Sequence, residues 1–99
     1  MKHFIIEIIY TAPIKEIEKT TLEHRAFLRG GYDKNMILLS GPKAPRNGGI
    51  IIARAESTEK AENFFKEDPY RKKGLAQYRF IEFKPVNHQD FLKDWVEIE

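Results

Sequence analysis

Cysteine is absent from the chain: none of its 99 residues is one. Disulfide frameworks, cysteine nucleophiles and cysteine-ligated zinc are therefore excluded together, and the composition fits a reducing compartment. Long hydrophobic runs are lacking as well. The apolar segment at positions 4–10 is interrupted by Glu7, is too short to span a membrane, and is not followed by a small-residue cleavage site. These absences predict a soluble, cytoplasmic protein with no membrane partner.

The chain also has little excess of one charge. Seventeen Lys and Arg residues against fifteen Asp and Glu residues leave a net charge of +2. So small a charge, mixed along the chain, gives little attraction for nucleic acid, and the basic cluster at residues 70–73 is typical of a solvated face. We therefore predict no nucleic-acid partner. The 41% of hydrophobic residues is typical of a globular protein, and 99 residues make one domain.

Three familiar motifs are missing. Neither Gly30-Gly31 nor Gly48-Gly49 is followed by Gly-Lys-Ser or Gly-Lys-Thr, so neither predicts a phosphate loop. The three histidines, His3, His24 and His88, do not have the spacing of metal ligands. No Gly-x-Ser-x-Gly elbow is present. We therefore expect no metal and no other cofactor.

Hydrophobic periodicity predicts the element order strand, helix, strand, strand, helix, strand. The predicted strands cover residues 4–10, 36–40, 49–55 and 77–84. The first helix runs from Ile14 to about Leu28 and is ended by Gly30-Gly31, which supply a positive φ angle. This order is the ferredoxin-like βαββαβ unit of the α+β class, an antiparallel sheet with both helices on one face.

The second half of the chain carries its own helix signals. Ser57 or Thr58 is a suitable N-cap for the second helix, and Asp68-Pro69 interrupts that helix. Asp68 suits the N-cap of a further short turn because proline is favoured at the first helical position. We predict one domain over residues 1–86. The C-terminal extension 87–99, which carries Phe91 and Trp95 four residues apart, is predicted to pack on the domain or on a dimer.

The predicted sheet is apolar on both faces. In the first strand the two faces carry Phe4, Ile6 and Ile8 against Ile5 and Ile9, and the third strand alternates in the same way. A sheet with one wet face would alternate apolar with polar residues, and two helices cover only one face. The simplest cover for the other face is a second copy of the sheet. We therefore predict a homodimer.

His24 and Asp68 are the candidate catalytic pair. His24 shares the face of Ile17 and Leu28, so it points towards the sheet, and imidazole is suited to acid–base work because its unperturbed pKa of about 6.5 lies near neutrality. An equally good interpretation is a core histidine bonded to the backbone. Asp68 also points inward, where it serves as an N-cap and, if it meets His24, fixes the imidazole tautomer.

The loop after the second strand carries candidate substrate-binding groups. Ser40, Gly41 and Pro42 lie at the exit of that strand, where a hydroxyl and backbone N–H groups can face a cleft. Lys43 and Arg46 follow, and an arginine can hold a carboxylate through two parallel N–H bonds. The alternative is that these loop cations are only solvated.

These residues together resemble the YCII-related (YciI-like) family. The matching segments are His24 with Phe27-Leu28, Leu39 to Pro42, Gly48-Gly49, Asp68-Pro69-Tyr70, Gly74-Leu75, and Ile81 to Phe83. The resemblance implies a ferredoxin-like fold in a dimeric α/β-barrel-type assembly, a His24–Asp68 dyad beside Ser40 and Gly41-Pro42, and small ring compounds as substrates. Asn47 departs from the pattern, because many relatives have an acidic residue before the double glycine.

The leading hypothesis is a small enzyme with no cofactor that acts on a small organic acid or ring compound by lyase, isomerase or hydrolase chemistry. His24 is the general acid or base, Asp68 orients it, Ser40 donates a hydrogen bond to the substrate, and Arg46 holds an anionic group. Two other hypotheses remain open at this point. One is a non-catalytic dimeric module that binds a small ligand or acts as an accessory protein, and the other is a structural dimer without a site.

Overall fold

The computed structural model of the protein describes residues 1–97. Its elements are β1 (Lys2–Tyr10), α1 (Ile14–Asp33), β2 (Ile37–Pro42), β3 (Gly48–Ala55), α2 (Thr58–Phe65), α3 (Pro69–Lys72), β4 (Ala76–Phe83) and α4 (Lys93–Val96), the last preceded by a 3₁₀ turn at Asp90–Leu92. Positions 98 and 99 of the predicted C-terminal extension lie outside the described residues. None of the helices within residues 1–97 is both long enough and apolar enough to cross a membrane.

The four strands form one antiparallel sheet in the order β2-β3-β1-β4. This order confirms the predicted α+β class with a four-stranded antiparallel sheet. Ile6 of β1 lies opposite Ile51 of β3 and Phe80 of β4, so all three side chains point to one face of the sheet. Phe4 and Ile8 share that face with them.

The hydrophobic core lies between this face and the helices. Ile17 of α1 and Phe65 of α2 are fully buried in the same cluster as Phe4 and Ile6, so both helices pack on the same side of the sheet. Full burial of side chains of this size is worth about 1.5–3 kcal/mol each. The predicted one-sided arrangement of the helices is therefore present in the fold.

Helix α1 is longer than the sequence predicts. The expectation that Gly30-Gly31 end it is wrong, because the helix continues to Asp33 and the positive φ of 58° falls on Asn35. Gly31 has a different task. A Cβ atom at this position would overlap the side chain of Ile37, so glycine lets the end of α1 approach β2 closely.

Helices α2 and α3 begin as the sequence predicts. Ser57 Oγ accepts a hydrogen bond of 3.1 Å from the backbone N–H of Lys60, and an Asp68 oxygen accepts one of 3.1 Å from the N–H of Tyr70. Pro69 is the first residue of α3. The turn ends at Gly74, which has a φ of 69° that favours glycine.

The opposite side of the sheet, which we call the open face, is covered by none of α1, α2 and α3. Its partly or fully exposed apolar side chains are Ile5, Ile9, Leu39, Ile50, Ile52, Ile81 and Phe83. Glu7 lies among them and is paired with Lys43 at 2.7 Å and Arg79 at 3.7 Å. The sheet therefore has apolar side chains on both faces, as predicted. The open face also carries one cluster of charges, in which Glu7 pairs with Lys43 and Arg79.

The C-terminal extension packs on one end of the open face through Trp95. The guanidinium of Arg54 lies 3.9 Å from the centre of the Trp95 ring, and Arg54 Nη1 donates a 2.9 Å hydrogen bond to the Trp95 carbonyl. The same carbonyl lies 3.4 Å from His3 Nε2. Phe91, by contrast, is 83% exposed.

Candidate functional site

His24 and Asp68 meet in the interior. His24 lies on the buried face of α1, and Asp68 is the fully buried N-cap of α3. His24 Nδ1 lies 2.9 Å from each of the two Asp68 carboxylate oxygens. Residues 44 positions apart in the chain are thereby joined by a short, buried hydrogen bond, the arrangement that the sequence left as a conjecture.

The Asp68 carboxylate is surrounded by donors. Besides His24, it accepts hydrogen bonds from the backbone N–H of Tyr70 and from the hydroxyl of Tyr78. Burial raises the pKa of Tyr78 well above its ordinary value, and the nearby Asp68 carboxylate raises it further. The Tyr78 hydroxyl consequently keeps its proton and acts as a permanent donor to Asp68.

This arrangement selects one tautomer of His24. A carboxylate only accepts hydrogen bonds, so the shared proton of the neutral imidazole belongs on Nδ1. Nε2 then carries a lone pair, and it has no hydrogen-bond partner within residues 1–97. The imidazole is thus held from one side, with the nitrogen on its other side available to a bound molecule.

The ring of Tyr70 supports the imidazole. The two rings stack with 4.0 Å between their centres and 15° between their planes. The Tyr70 hydroxyl lies 2.9 Å from Thr21 Oγ1, and Thr21 itself donates to the carbonyl of Ile17, so Tyr70 is the donor between the two hydroxyls. Burial raises the pKa of Tyr70, which keeps this hydroxyl protonated.

A cleft of about 240 Å³ opens beside His24. Four of the residues predicted to bind substrate line it: Ser40, Gly41, Pro42 and Arg46. Arg46 Nη2 donates a 3.3 Å hydrogen bond to Thr21 Oγ1 at its wall. Asp68 does not line the cleft, because it lies behind His24 and reaches the cleft only through the imidazole ring.

Ser40 and Lys43 have different environments. The Ser40 hydroxyl lies 2.7 Å from that of Tyr32, which fixes its position at the wall of the cleft. Lys43 does not line the cleft. Its ammonium group is paired with Glu7 on the open face, so the prediction that Lys43 helps Arg46 to hold a substrate is wrong.

The sequence does not predict three features of the site. These are the hydroxyl of Tyr78, the stacking of Tyr70 on His24, and the position of Arg25, which lines the cleft from α1. The alternation of β4 puts Ala76, Tyr78 and Phe80 on the core face, and this signal marks Tyr78 as an inward hydroxyl in need of a partner. Arg25 follows Thr21 by one helical turn, but nothing in the pattern shows that a cleft lies there.

A metal site requires several ligands in one place. Across residues 1–97, no group of three or more His, Cys, Asp or Glu side chains comes together in a way that suits a metal ion. The cleft itself is lined by hydroxyl, imidazole, guanidinium and apolar groups.

Comparison with known proteins gives a family and a similar solved structure. The sequence matches no curated protein closely enough to count as a relative. Among solved structures, the fold is similar to 5-chloro-2-hydroxyhydroquinone dehydrochlorinase (TftG) from Burkholderia phenoliruptrix AC1100 in complex with 2,5-dihydroxybenzoquinone. The TM-score is 0.69 and the identity 22%, over 92% of this chain and 98% of that one. At this identity the likeness shows a shared fold. Residues 1–84 match the model of the YCII-related domain, so the chain belongs to the YCII-related family.

Proposed function

We propose that the protein is a small-molecule enzyme that moves protons with the His24–Asp68 pair. The observation that carries the proposal is the position of the imidazole. Its Nδ1 is held at 2.9 Å by a fully buried carboxylate, and its Nε2 is left for a molecule in the cleft. The carboxylate also accepts hydrogen bonds from the N–H of Tyr70 and the hydroxyl of Tyr78, so its orientation is fixed, and it fixes the orientation of the imidazole in turn.

The chemistry follows from the free Nε2. In the proposed reaction, Nε2 removes a proton from an acidic C–H bond of the substrate, and the electron pair of that bond enters an adjacent carbonyl group or ring. Asp68 stabilises the imidazolium that forms. In an isomerisation, the proton then returns to a different substrate atom. In an elimination, the electron pair expels a leaving group such as halide, and the imidazolium releases its proton to water. General acid–base catalysis of this kind contributes about 10²–10⁴-fold.

The proposed substrates are small ring compounds or organic acids. The volume of the cleft suits one small molecule, Ser40 supplies a hydrogen bond, and Arg46 supplies a positive charge. The structural neighbour is a dehydrochlorinase crystallised with a dihydroxybenzoquinone, which supports a ring compound. We also propose that the protein works without a cofactor and in the cytoplasm, as the sequence predicts.

We further propose that the working unit is a homodimer that packs open face against open face. The support is the row of exposed apolar side chains, and the fact that Glu7 already has two cationic partners within the same chain. A paired charge is easier to bury than a lone one. Two copies of a sheet also match in shape, because both have the same twist.

The test does not require the natural substrate to be known. Small phenols, quinones and unsaturated carboxylic acids are incubated with the protein in D₂O, and ¹H NMR follows deuterium incorporation and conversion. We expect protein-dependent exchange or conversion of at least one class. His24→Gln should lower its rate about 100-fold or more, since general acid–base catalysis is lost. His88→Gln, which changes a histidine of the C-terminal extension, is the matched control and should keep the rate.

Two results would contradict the enzyme proposal. One is exchange or conversion that survives His24→Gln. The other is a compound that binds in the cleft while no member of the panel exchanges or is converted, which would favour the non-catalytic binding module.

A further inference from the structure

The charged groups of the cleft all have one sign. Arg25 from α1 and Arg46 from the loop between β2 and β3 line it, and no Asp or Glu does. The whole chain is almost balanced, with seventeen basic and fifteen acidic residues, so this local excess is not a consequence of composition. The fully buried Asp68 lies behind His24 and is already occupied by three donors. An anion in the cleft would therefore meet two guanidinium groups and no opposing carboxylate.

Neither guanidinium is neutralised by the protein. Some cations of the chain are paired with carboxylates, as Lys73 is with Glu23 at 3.1 Å and Lys43 with Glu7 at 2.7 Å. Over residues 1–97, Arg25 and Arg46 have no carboxylate within ion-pair distance. The neighbouring hydroxyl of Tyr10 raises the pKa of Arg46. Both residues thus keep their full charge at the cleft.

The two cations share one corner of the cleft. Arg46 Nη2 lies 3.3 Å from Thr21 Oγ1, and Arg25 follows Thr21 by four residues on the same face of α1. Thr21 Oγ1 is bonded to the hydroxyl of Tyr70, whose ring stacks on His24. The cationic corner is therefore linked to the imidazole through Thr21 and Tyr70.

Size and polarity limit the ligand further. A cavity of about 150 Å³ is known to hold benzene, so 240 Å³ suits one substituted ring and is too small for two. Apolar side chains, among them Ile8, Leu28 and Ile51, form part of the wall, beside four residues that carry hydroxyl groups. Such a wall favours a ring over a small hydrophilic acid.

We propose that the cleft binds a monocyclic organic anion, with its carboxylate or phenolate oxygen held by Arg25 and Arg46 and its ring reaching His24. This inference rests on the proposed function. That proposal allows small ring compounds or organic acids, and the inference selects ring compounds that are themselves acids. It assigns Arg25 a role for which the sequence gives no signal. The anionic group lies at the cationic corner, and the opposite edge of the ring lies at Nε2, where the proton is moved.

The test compares two probes of one shape and different charge. Benzoate and benzamide are titrated separately into the protein at pH 7 and low ionic strength, and binding is followed by ¹H–¹⁵N NMR shifts. We expect benzoate to bind about tenfold more tightly or better, since a hydrogen bond to a charged group is the stronger kind. Added salt should weaken benzoate binding and leave benzamide binding nearly unchanged. 4-Nitrophenolate then tests whether a phenolate oxygen replaces the carboxylate.

Matched variants locate the charge effect. Arg46→Gln and Arg25→Gln should each weaken benzoate binding about three- to tenfold, a modest loss because both side chains are exposed. Two control variants remove the same charge outside the cleft: Lys43→Gln in the same loop as Arg46, and Arg29→Gln one turn beyond Arg25 on α1. Both should change the affinity for benzoate little. Equal affinity for the two probes, no saturable benzoate binding, or equal losses in all four variants would overturn the inference.

Binding and turnover separate this inference from the proposed function. Charge-dependent benzoate binding together with no exchange or conversion of any compound contradicts the enzyme and leaves the anion site. Turnover of a neutral ring compound that is indifferent to Arg25→Gln and Arg46→Gln contradicts the anion site and leaves the enzyme.

Discussion

Asp68 has two functions that the structure joins in one carboxylate. It caps α3 through the N–H of Tyr70, and it accepts the Nδ1 proton of His24. The sequence predicts the cap and leaves the pairing with His24 as a conjecture. Because a carboxylate has two oxygens with room for about four hydrogen bonds, both are satisfied at once, with capacity left for Tyr78.

The first prediction concerns the two substitutions Asp68→Ala and Asp68→Asn. Alanine leaves three buried donors without an acceptor, so we expect a loss of about 3–5 kcal/mol in the free energy of unfolding. Asparagine caps about as well as aspartate and should cost clearly less. Urea unfolding at pH 7 measures both. Equal losses for the two variants would mean that the charge, and not the cap, is what the fold needs.

Asp68→Asn should also change the tautomer of His24. The amide group of asparagine can donate towards Nδ1, in which case the imidazole proton moves to Nε2 and the base is lost. ¹⁵N NMR of the imidazole distinguishes the two forms, and we expect Nδ1–H in the parent protein and Nε2–H in the variant. Nδ1–H in both proteins would show that Asp68 does not set the tautomer.

At the scale of elements, the two adjacent glycines of α1 show where sequence reasoning stops. Gly30-Gly31 permit both a helix end and a close helix–strand contact, and the local pattern is the same for both. The contact of Gly31 with Ile37, a residue in the next element, decides between them. The strands were predictable to within one or two residues, because their alternation is a local property.

The same limit applies to the site. The inward positions of His24 and Asp68 follow from helical periodicity, and the structure brings them together as conjectured. Their meeting with Tyr78 depends on the packing of β4 beneath α3, which no local spacing contains. Arg25 joins the cleft only because the loop after β2 folds back beside α1.

The second prediction uses the two glycines as a matched pair. A Cβ at position 30 meets no atom within 4 Å, so Gly30→Ala should stabilise the protein by about 0.5–1 kcal/mol through its better helix propensity. A Cβ at position 31 would overlap Ile37, so Gly31→Ala should destabilise it by about 1–3 kcal/mol. Thermal unfolding of both variants measures the difference. Stabilisation by both would mean that the contact with Ile37 has room to relax.

The third prediction concerns the docking of the C-terminal extension. Burial lowers the pKa of His3, which touches the Trp95 carbonyl, so the folded state favours the neutral imidazole. The stability it contributes is complete above the unfolded pKa of about 6.5 and is lost as the pH falls from there through the folded pKa. Trp95 is the single tryptophan of the chain. We therefore expect its fluorescence to shift to the red below about pH 6.5 as the docking weakens.

His88 acts in the opposite sense and supplies the control. The carbonyl of Gln89, and then Glu97, raise its pKa, so its contribution is complete below about 6.5 and is lost as the pH rises through the folded pKa. His88→Gln should make the red shift on acidification larger, and His3→Gln should abolish it. A red shift that persists in His3→Gln would contradict the assignment to His3.

At the scale of the whole molecule, the open face is a row of exposed apolar side chains that helices α1, α2 and α3 do not cover. Its isoleucines lie on the strands themselves, so they cannot turn inward without breaking the sheet. A second copy of the chain would cover them. One end of the face is already partly covered, because Trp95 lies over Arg54 there. The described part of the extension therefore leaves the middle of the face, around Glu7, uncovered.

The fourth prediction tests this assembly. Sedimentation equilibrium at micromolar concentration should give about twice 11.6 kDa, and Leu39→Glu should give the monomer mass because it places a charge in the apolar interface. Leu39 is 56% exposed in the single chain, so the substitution should leave the fold intact. Leu22→Glu, at an 80% exposed position on α1 away from the open face, is the control and should stay dimeric. A monomeric parent protein would rule out the face-to-face arrangement.

The two members of the dyad come from different halves of the chain, His24 from β1-α1-β2 and Asp68 from β3-α2-α3-β4. Contacts between residues far apart in sequence form late in folding, because the intervening chain must first be closed into a loop. No two strands of the same half are neighbours in the sheet order β2-β3-β1-β4, so neither half can complete its strands alone. Helix α1 is a local element and can form first, and a chain arrested at that stage has His24 without its carboxylate partner until the sheet has paired across the two halves.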